Sequence, residues 1–229
     1  MRKVAFISDV HSNLEALEAV LGMTGGAELY CLGDLVGYGS DPNGVIKRLR
    51  DEGAIAVLGN HDAAVLSGDT SWFNTRAAAA AKWTTEHLSE EGRKFLQSLP
   101  QEIVTEFEGV RTFLTHGSPD DHLREYVEPE THEHLFDRYL SDLKVRVVGL
   151  GHTHRPFVWK GERGLVFNPG SVGQPRDGDS RASFALATFR MNEAEVVLLR
   201  TEYDVKAAAD KIEAAGLPKQ LAARLFEGM

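Results

Sequence analysis

Five short groups of residues in this 229-residue chain are of the types that bind divalent cations or move protons. They are Asp9 with His11, Asp34, Asn60 with His61, His116, and His152 with His154. Each group sits at the end of its own apolar run. Brought together, Asp9, His11, Asp34, Asn60, His116, His152 and His154 supply two carboxylates, one amide and four imidazoles. A mixed oxygen and nitrogen donor set of this kind suits borderline cations. Two such cations a few Å apart need one shared carboxylate. Asp34, set just past the end of the run 29–32 and preceded by Gly33, is placed to give one oxygen to each. A pair of ions held this way can grip a phosphate, orient it, and lower the pKa of a bridging water toward neutrality.

The elements that must position these groups can be read from periodicity. Residues 3–8 form an apolar strand, and Asp9 and His11, two apart in an extended segment, would face the same way. Ser12 and Glu15 have the spacing of a capping box, and Leu14, Leu17, Val20 and Leu21 give the helix an apolar face. A second strand covers 28–32. Asp41-Pro42 marks a helix start whose inner side is Val45, Ile46 and Leu49. A third strand at 54–58 leads to Gly59-Asn60-His61-Asp62. Strand and helix alternate as in a parallel sheet, where sites form at the carboxyl ends of strands.

Residues 62–100 break that rhythm with helices at 75–87 and 89–99, a helical insertion bordering the site. Strands are then expected at 102–107, 110–115 and 145–150, with a helix at 131–143. A hairpin at 183–190 and 193–200 follows, and helices occupy about 204–229. The expectation is one domain over 1–229, α/β (α+β) in class, with a mixed second sheet packed on the first. Gly33, Gly59, Gly117 and Gly151 adjoin the candidate ligands, where the backbone is expected to turn sharply.

With 42% hydrophobic residues the chain can bury a core without disulfides. Cys31 is its one cysteine and lies in an apolar strand, so it reads as an inert buried thiol. A net charge of −9 argues against electrostatic binding to nucleic acid or anionic membrane. It does not exclude an anionic substrate, because bound cations reverse the local field. The apolar run after Met1 is too short for a signal peptide, and no segment has the roughly 18 apolar residues of a membrane span. A cytoplasmic protein is expected.

Asp9-x-His11, Gly33-Asp34, Gly59-Asn60-His61-Asp62, His116-Gly117 and Gly151-His152-x-His154 resemble, in order, the five blocks of the calcineurin-like metallophosphoesterase superfamily. The resemblance implies a four-layer α-β-β-α sandwich with two mixed β-sheets flanked by helices. It implies two divalent metal ions (Mn, Fe, Zn, Co or Ni). One would be held by Asp9, His11, Asp34 and His154, and the other by Asp34, Asn60, His116 and His152. His61 would then be the catalytic acid or transition-state donor. Asp62 would brace the loop behind it, and Arg176 could bind substrate phosphate.

The second block departs from that of the family's protein phosphatases, which read Gly-Asp-x-x-Asp-Arg-Gly. Here Gly37 and Tyr38 stand where that Asp and Arg would be. The chain looks instead like the small bacterial and archaeal phosphodiesterases. The expected reaction is hydrolysis of a small phosphate ester, phosphodiester or nucleotide anhydride by a hydroxide bridging the ions. A dinucleoside polyphosphate hydrolase is the alternative within that class. A non-catalytic scaffold and a nuclease are the alternatives outside it. The expected partner is a small phosphorylated substrate, with neither membrane nor nucleic acid. His87, His122, His132 and His134 match no block, and Trp72, Phe73 and Trp83 read as packing residues.

Overall fold

The computed structural model describes residues 1–229. Strands β1 (Arg2–Ile7), β2 (Glu28–Cys31) and β3 (Ile55–Ala56) run parallel and side by side. The hairpin β9 (Ala182–Arg190) and β10 (Glu193–Thr201) extends that sheet from β1 in antiparallel sense, giving the order β10-β9-β1-β2-β3. A second sheet has the order β4-β5-β6-β8-β7. It is built from β4 (Glu102–Phe107), β5 (Val110–Thr115), β6 (Val147–Gly149), β7 (Phe157–Lys160) and β8 (Leu165–Asn168). Its inner strands β5, β6 and β8 are parallel, and both edge strands are antiparallel.

The alternation of side chains along β1 sets the layers. Ala5 and Ile7 face helices α1 (Leu14–Leu21) and α2 (Pro42–Asp51), with Leu96 of α5 (Glu90–Gln97) in the same cluster. Val4 and Phe6 face the other sheet, where Phe6 meets Phe167 at 5.0 Å and Phe107 at 6.3 Å between ring centroids. The far face of the second sheet, Phe113, Val148 and Val166, is covered by Phe136, Tyr139 and Leu140 of α6 (Pro129–Asp142). The result is a four-layer α-β-β-α sandwich of two mixed sheets. Phe6 is fully buried between the sheets. Truncating such a side chain to alanine costs about 3–5 kcal/mol.

Helix α3 (Asn60–Ser67) follows β3 after a three-residue link, 57–59, and is followed by α4 (Thr75–His87). The last two helices, α7 (Val205–Ala214) and α8 (Lys219–Glu227), pack with α4 in a separate apolar cluster that encloses Tyr38. No helix is long and apolar enough to cross a membrane.

Three local expectations are corrected. Helix α1 is capped by Asn13, whose side chain accepts from Ala16 N–H at 3.1 Å, and Ser12 Oγ has no partner. Strand β3 is two residues long because the Leu58 N–H turns away to the Pro100 carbonyl. Strand β7 was not expected. Its apolar run of Phe157, Val158 and Trp159 is short, and all three are only half-buried.

Candidate metal centre

The chain carries its candidate ligands on the loops that leave β1, β2, β3, β5 and β6. Parallel strands point these loops to one edge of each sheet, and the two edges meet. Asp9, His11, Asp34, Asn60, His116, His152 and His154 are each no more than 3% exposed. The convergence is not achieved by extended backbone, as the sequence suggested. Asp9, His11, Asp34, His152 and His154 all have left-handed conformations, with φ of 53°, 50°, 53°, 68° and 59°. Such conformations cost of order 1–3 kcal/mol each in non-glycine residues and persist where surrounding contacts enforce them. Here Asp9 N–H donates to the Gly33 carbonyl and His11 N–H to the Asp34 carbonyl, both at 3.0 Å. His152 N–H donates to Asp9 Oδ2 at 3.1 Å. Gly59 is not at a sharp turn. Its φ is −95°, and a Cβ there would lie 2.1 Å from Asp34 Oδ1, so glycine permits the close approach of two loops.

Two groups of ligand atoms result: Asp9, His11 and His154, and Asp34, His116 and His152. In the first, His11 Nδ1–H donates to the Val36 carbonyl at 3.1 Å and His154 Nδ1–H to the Gln174 carbonyl. Both rings therefore present an unprotonated Nε2 inward. These two nitrogens lie 3.1 Å apart, and Asp9 Oδ1 is 3.2 Å from that of His154. Three acceptors with no donor among them repel one another unless a cation lies between. Burial holds both histidines below their usual range, and the carboxylates only partly offset it. Asp9 Oδ1 has no hydrogen-bond partner.

In the second group, His116 Nδ1–H donates to the Leu32 carbonyl at 2.8 Å. Its Nε2 meets Asn60 Oδ1 at 2.8 Å and Asp34 Oδ2 at 3.4 Å. Burial opposes its protonation, but the Asp34 carboxylate and its hydrogen bond win, and the imidazole is raised to about 9. His152 gives Nε2–H to the Arg124 carbonyl at 3.2 Å, which leaves Nδ1 as its ligand atom. Burial and His116 push it down to about 3. Asp34 Oδ2 also approaches His11 Nε2 at 3.6 Å, so a single oxygen faces both groups, and not one oxygen each as the sequence suggested, because Oδ1 accepts the His61 N–H.

His61 stands beside the cluster without joining either group. Its backbone N–H donates to Asp34 Oδ1 at 2.8 Å. Its ring lies 4.4 Å from those of Tyr38 and Phe73 and 4.9 Å from that of His11. Nδ1 is buried without a partner, and a Cβ on Gly37 would come within 2.5 Å of it. Burial lowers the ring to about 4, so it is neutral at pH 7 in the metal-free chain. Asn60 and His61 open helix α3 rather than extending from a strand, so they diverge by the turn of a helix.

Asp62 accepts from the N–H groups of Gly59, Leu35 and Val36 at 3.0, 3.2 and 3.0 Å. It ties the Asp34 loop to the Asn60 loop. Burial and the Asp34 charge raise it to about 7, against those three bonds. Arg176 Nη2 reaches Tyr38 Oη at 3.3 Å and Gln174 Oε1 at 3.2 Å, and its N–H leans on the His154 carbonyl at 3.4 Å. Sequence reasoning missed Tyr38, whose ring separates His11 from the arginine, and Tyr126, which lies 3.9 Å from His152. A tyrosine between Gly37 and Gly39 was a visible signal for the first. Nothing marked the second. His87, His132 and His134 lie outside the cluster, and His122 pairs with Glu102 at 3.2 Å.

Residues 2–192 match the calcineurin-like phosphoesterase superfamily domain.

The chain belongs to that superfamily.

A solved metallophosphoesterase from Sphaerobacter thermophilus is similar over 100% of this chain and 99% of its own, with 33% identity and a TM-score of 0.86. The uncharacterized protein MJ0912 of Methanocaldococcus jannaschii is 39% identical over 98% of each chain. The phosphodiesterase YfcE of Escherichia coli is 29% identical over 78% of this chain and 84% of its own. The superfamily is metal-dependent, and the two ligand groups are the candidates for that role here.

Proposed function

We propose that this chain is a phosphoesterase with a dinuclear metal centre that hydrolyses a small phosphate ester, phosphodiester or nucleotide anhydride. The observation that carries the reading is the pair of bare imidazole nitrogens of His11 and His154, 3.1 Å apart beside Asp9. Each ring has spent its N–H on a backbone carbonyl, so a cation is the economical resolution of the repulsion. The donor set fits Mn, Fe, Zn, Co or Ni. One ion would take Asp9, His11, Asp34 and His154, and the other Asp34, Asn60, His116 and His152. When bound, the ions supply charge against the phosphoryl oxygens and a water acidic enough to attack phosphorus.

The chain's own residues do the rest. Asp34 holds the two halves of the cluster together and accepts the His61 N–H, which fixes the start of α3. His61 presents its imidazole to the leaving oxygen and donates a hydrogen bond as charge develops there. A preorganised hydrogen-bond donor of this kind is worth roughly 10²- to 10³-fold. Phe73 and Tyr38 hold that ring in place and limit access of water to it. Asp62 keeps the Asp34 and Asn60 loops in register. Arg176 contributes positive charge beside the cluster for the substrate's phosphate.

The partner proposed is a small phosphorylated molecule rather than nucleic acid or membrane, in line with the net charge of −9. The compartment proposed is the cytoplasm. A scaffold without catalysis is disfavoured by the complete donor set. The test is a substrate panel on protein reconstituted with each metal in turn: nitrophenyl mono- and diesters, cyclic nucleotides, dinucleoside polyphosphates and phosphopeptides. The expected result is turnover of small esters or nucleotides well above that of phosphopeptides. Inertness under every metal, or a preference for phosphopeptides, would overturn the proposal.

A further inference from the structure

On the side of Tyr38 away from the metal cluster, the chain gathers three arginines, Arg155, Arg176 and Arg224, around one acid, Asp177. Arg176 lies 5.7 Å and Arg224 5.9 Å from the Tyr38 ring centroid, measured from the guanidinium carbon. Both line an open cleft together with Pro156, Gly178 and Met229. Neither Arg176 nor Arg224 has an Asp or Glu oxygen within 4.0 Å. The nearby acids are committed elsewhere, Asp177 to Arg200 and Asp179 to Arg181. Arg224 Nε donates to the backbone oxygen of Met229, which leaves its other guanidinium nitrogens without an acidic side chain. Arg176 Nε is buried with no partner at all. Two half-buried guanidinium groups that share one cleft repel each other, and a phosphate placed between them matches their remaining forked donors. Burial and the neighbouring Arg176 charge both press Arg224 below its usual range.

The position of the cleft gives it meaning. Tyr38 touches Arg176 and Arg224 on one side, and the His11 and His61 rings at 4.7 and 4.4 Å on the other. An anion in the cleft would sit one phenol ring away from the catalytic cluster. Arg224 lies on α8, beyond residues 2–192 that match the superfamily domain, so this wall is supplied by the chain's own C-terminal helices. Leu221 and Leu225, buried on the same helix, hold it in place.

We propose that Arg176, Arg224 and the Tyr38 hydroxyl form a subsite for a second phosphate of the substrate. The enzyme is then selective for small molecules carrying two phosphates, one at the metals and one in this cleft. This rests on the phosphoesterase reading and names its substrate class.

The test has two arms. In the first, EDTA-stripped protein is titrated with sulfate by calorimetry, so the metal centre plays no part. Sulfate is expected to bind at one site per chain, about 10-fold more weakly in Arg224→Gln and at an intermediate level in Arg224→Lys. Circular dichroism and thermal unfolding check that both variants fold, and the lysine variant carries the test if the glutamine one does not. In the second arm, metal-loaded enzyme is given the nitrophenyl ester of thymidine 5′-phosphate with and without a 3′-phosphate. Wild type is expected to favour the bisphosphate by about 10-fold in kcat/KM, mostly through KM, and Arg224→Gln to lose that preference.

Sulfate binding indifferent to Arg224, or seen only as an adventitious ion at crystallisation-like concentrations, overturns the subsite. Weakened sulfate binding with an unchanged substrate ratio assigns the cleft to a free anion and overturns the proposal. Hydrolysis of neither ester with sulfate binding intact overturns the phosphoesterase reading, and the substrate class with it.

Discussion

Around Asp9, two imidazoles give their N–H groups to backbone carbonyls and turn bare nitrogens toward one another. Around Asp34, one imidazole is instead held protonated between two oxygens, with His116 raised to about 9 by that carboxylate despite its burial. Both halves are equally buried, and both are built from strand-end loops. They differ in what balances their charge before any metal arrives. In the Asp34 half a proton on His116 does part of a cation's work. In the Asp9 half nothing does. A metal entering the Asp9 half therefore meets little competition at neutral pH, while one entering the Asp34 half must displace a proton.

The largest effect should come from removing what the halves share. Asp34→Asn takes one negative charge from both groups. It should lower the occupancy of both ions and reduce kcat/KM by about 10³-fold or more, since several kcal/mol of charge stabilisation are lost. Elemental analysis of the folded variant checks this; two ions per chain would show that Asp34 does not bridge.

His61 belongs to neither half. His61→Ala should keep both ions and lose kcat by about 10²- to 10³-fold for an alkyl or nucleoside leaving group, and by less for nitrophenolate, whose charge is delocalised away from the leaving oxygen. A leaving-group series on this variant, with metal content measured alongside, decides the matter. Equal losses across the series would rule out hydrogen-bond donation to the leaving oxygen.

The comparison itself predicts a pH signature. Below about 9 the Asp34 half must lose a proton to bind metal, so its affinity should rise about tenfold per pH unit from 6.5 toward 9. The Asp9 half, whose imidazoles are already neutral, should change little over that range. Metal-free stability follows the same logic. Native His116 keeps a proton that the unfolded chain loses near 6.5, so stability is fully present below that pH and falls as pH rises through about 9. His61 and His152, lowered to about 4 and 3, act in the opposite direction. Their contribution is present above 6.5 and is lost as pH falls toward 4 and 3. The melting temperature of the stripped protein should therefore peak near pH 6.5. Affinities that rise in parallel at both sites would erase the distinction between the halves.

Much of this arrangement was visible in the sequence. Each candidate ligand group ends an apolar run, so the strands β1, β2, β5 and β6 and the clustering of Asp9, Asp34, His116 and His152 could be anticipated from one pattern. The family resemblance supplied the division of ligands, and residues 75–87 fell out as a helix from their alanines, while the Asn74 cap was seen only in the structure. What the sequence concealed depends on tertiary contact. The left-handed backbone at five ligand positions is enforced by hydrogen bonds between loops, and no residue preference announces it. Gly59 looked like a turn and proved to be a place where two loops touch. Arg224 lies 48 residues beyond Arg176 in an unremarkable amphipathic helix, and only packing brings the two together.

The smallest predicted effect concerns the brace. Asp62→Asn retains one good acceptor for three N–H groups, so it should cost about 1–3 kcal/mol of stability. Metal occupancy should fall mainly in the Asp34 half, whose two loops Asp62 joins. Denaturant unfolding and metal analysis would report this. An unchanged midpoint would mean that the loops are held by other contacts.

The central claim is that two ions sit on this cluster and that hydrolysis depends on both. It is tested most directly by titrating EDTA-stripped protein with Mn²⁺ at pH 7.5 in a calorimeter while following hydrolysis of bis(nitrophenyl) phosphate on the same sample. The account predicts two ions bound per chain in separable steps, with activity appearing as the second site fills. Binding of one ion or none, or turnover that persists in EDTA, would contradict it.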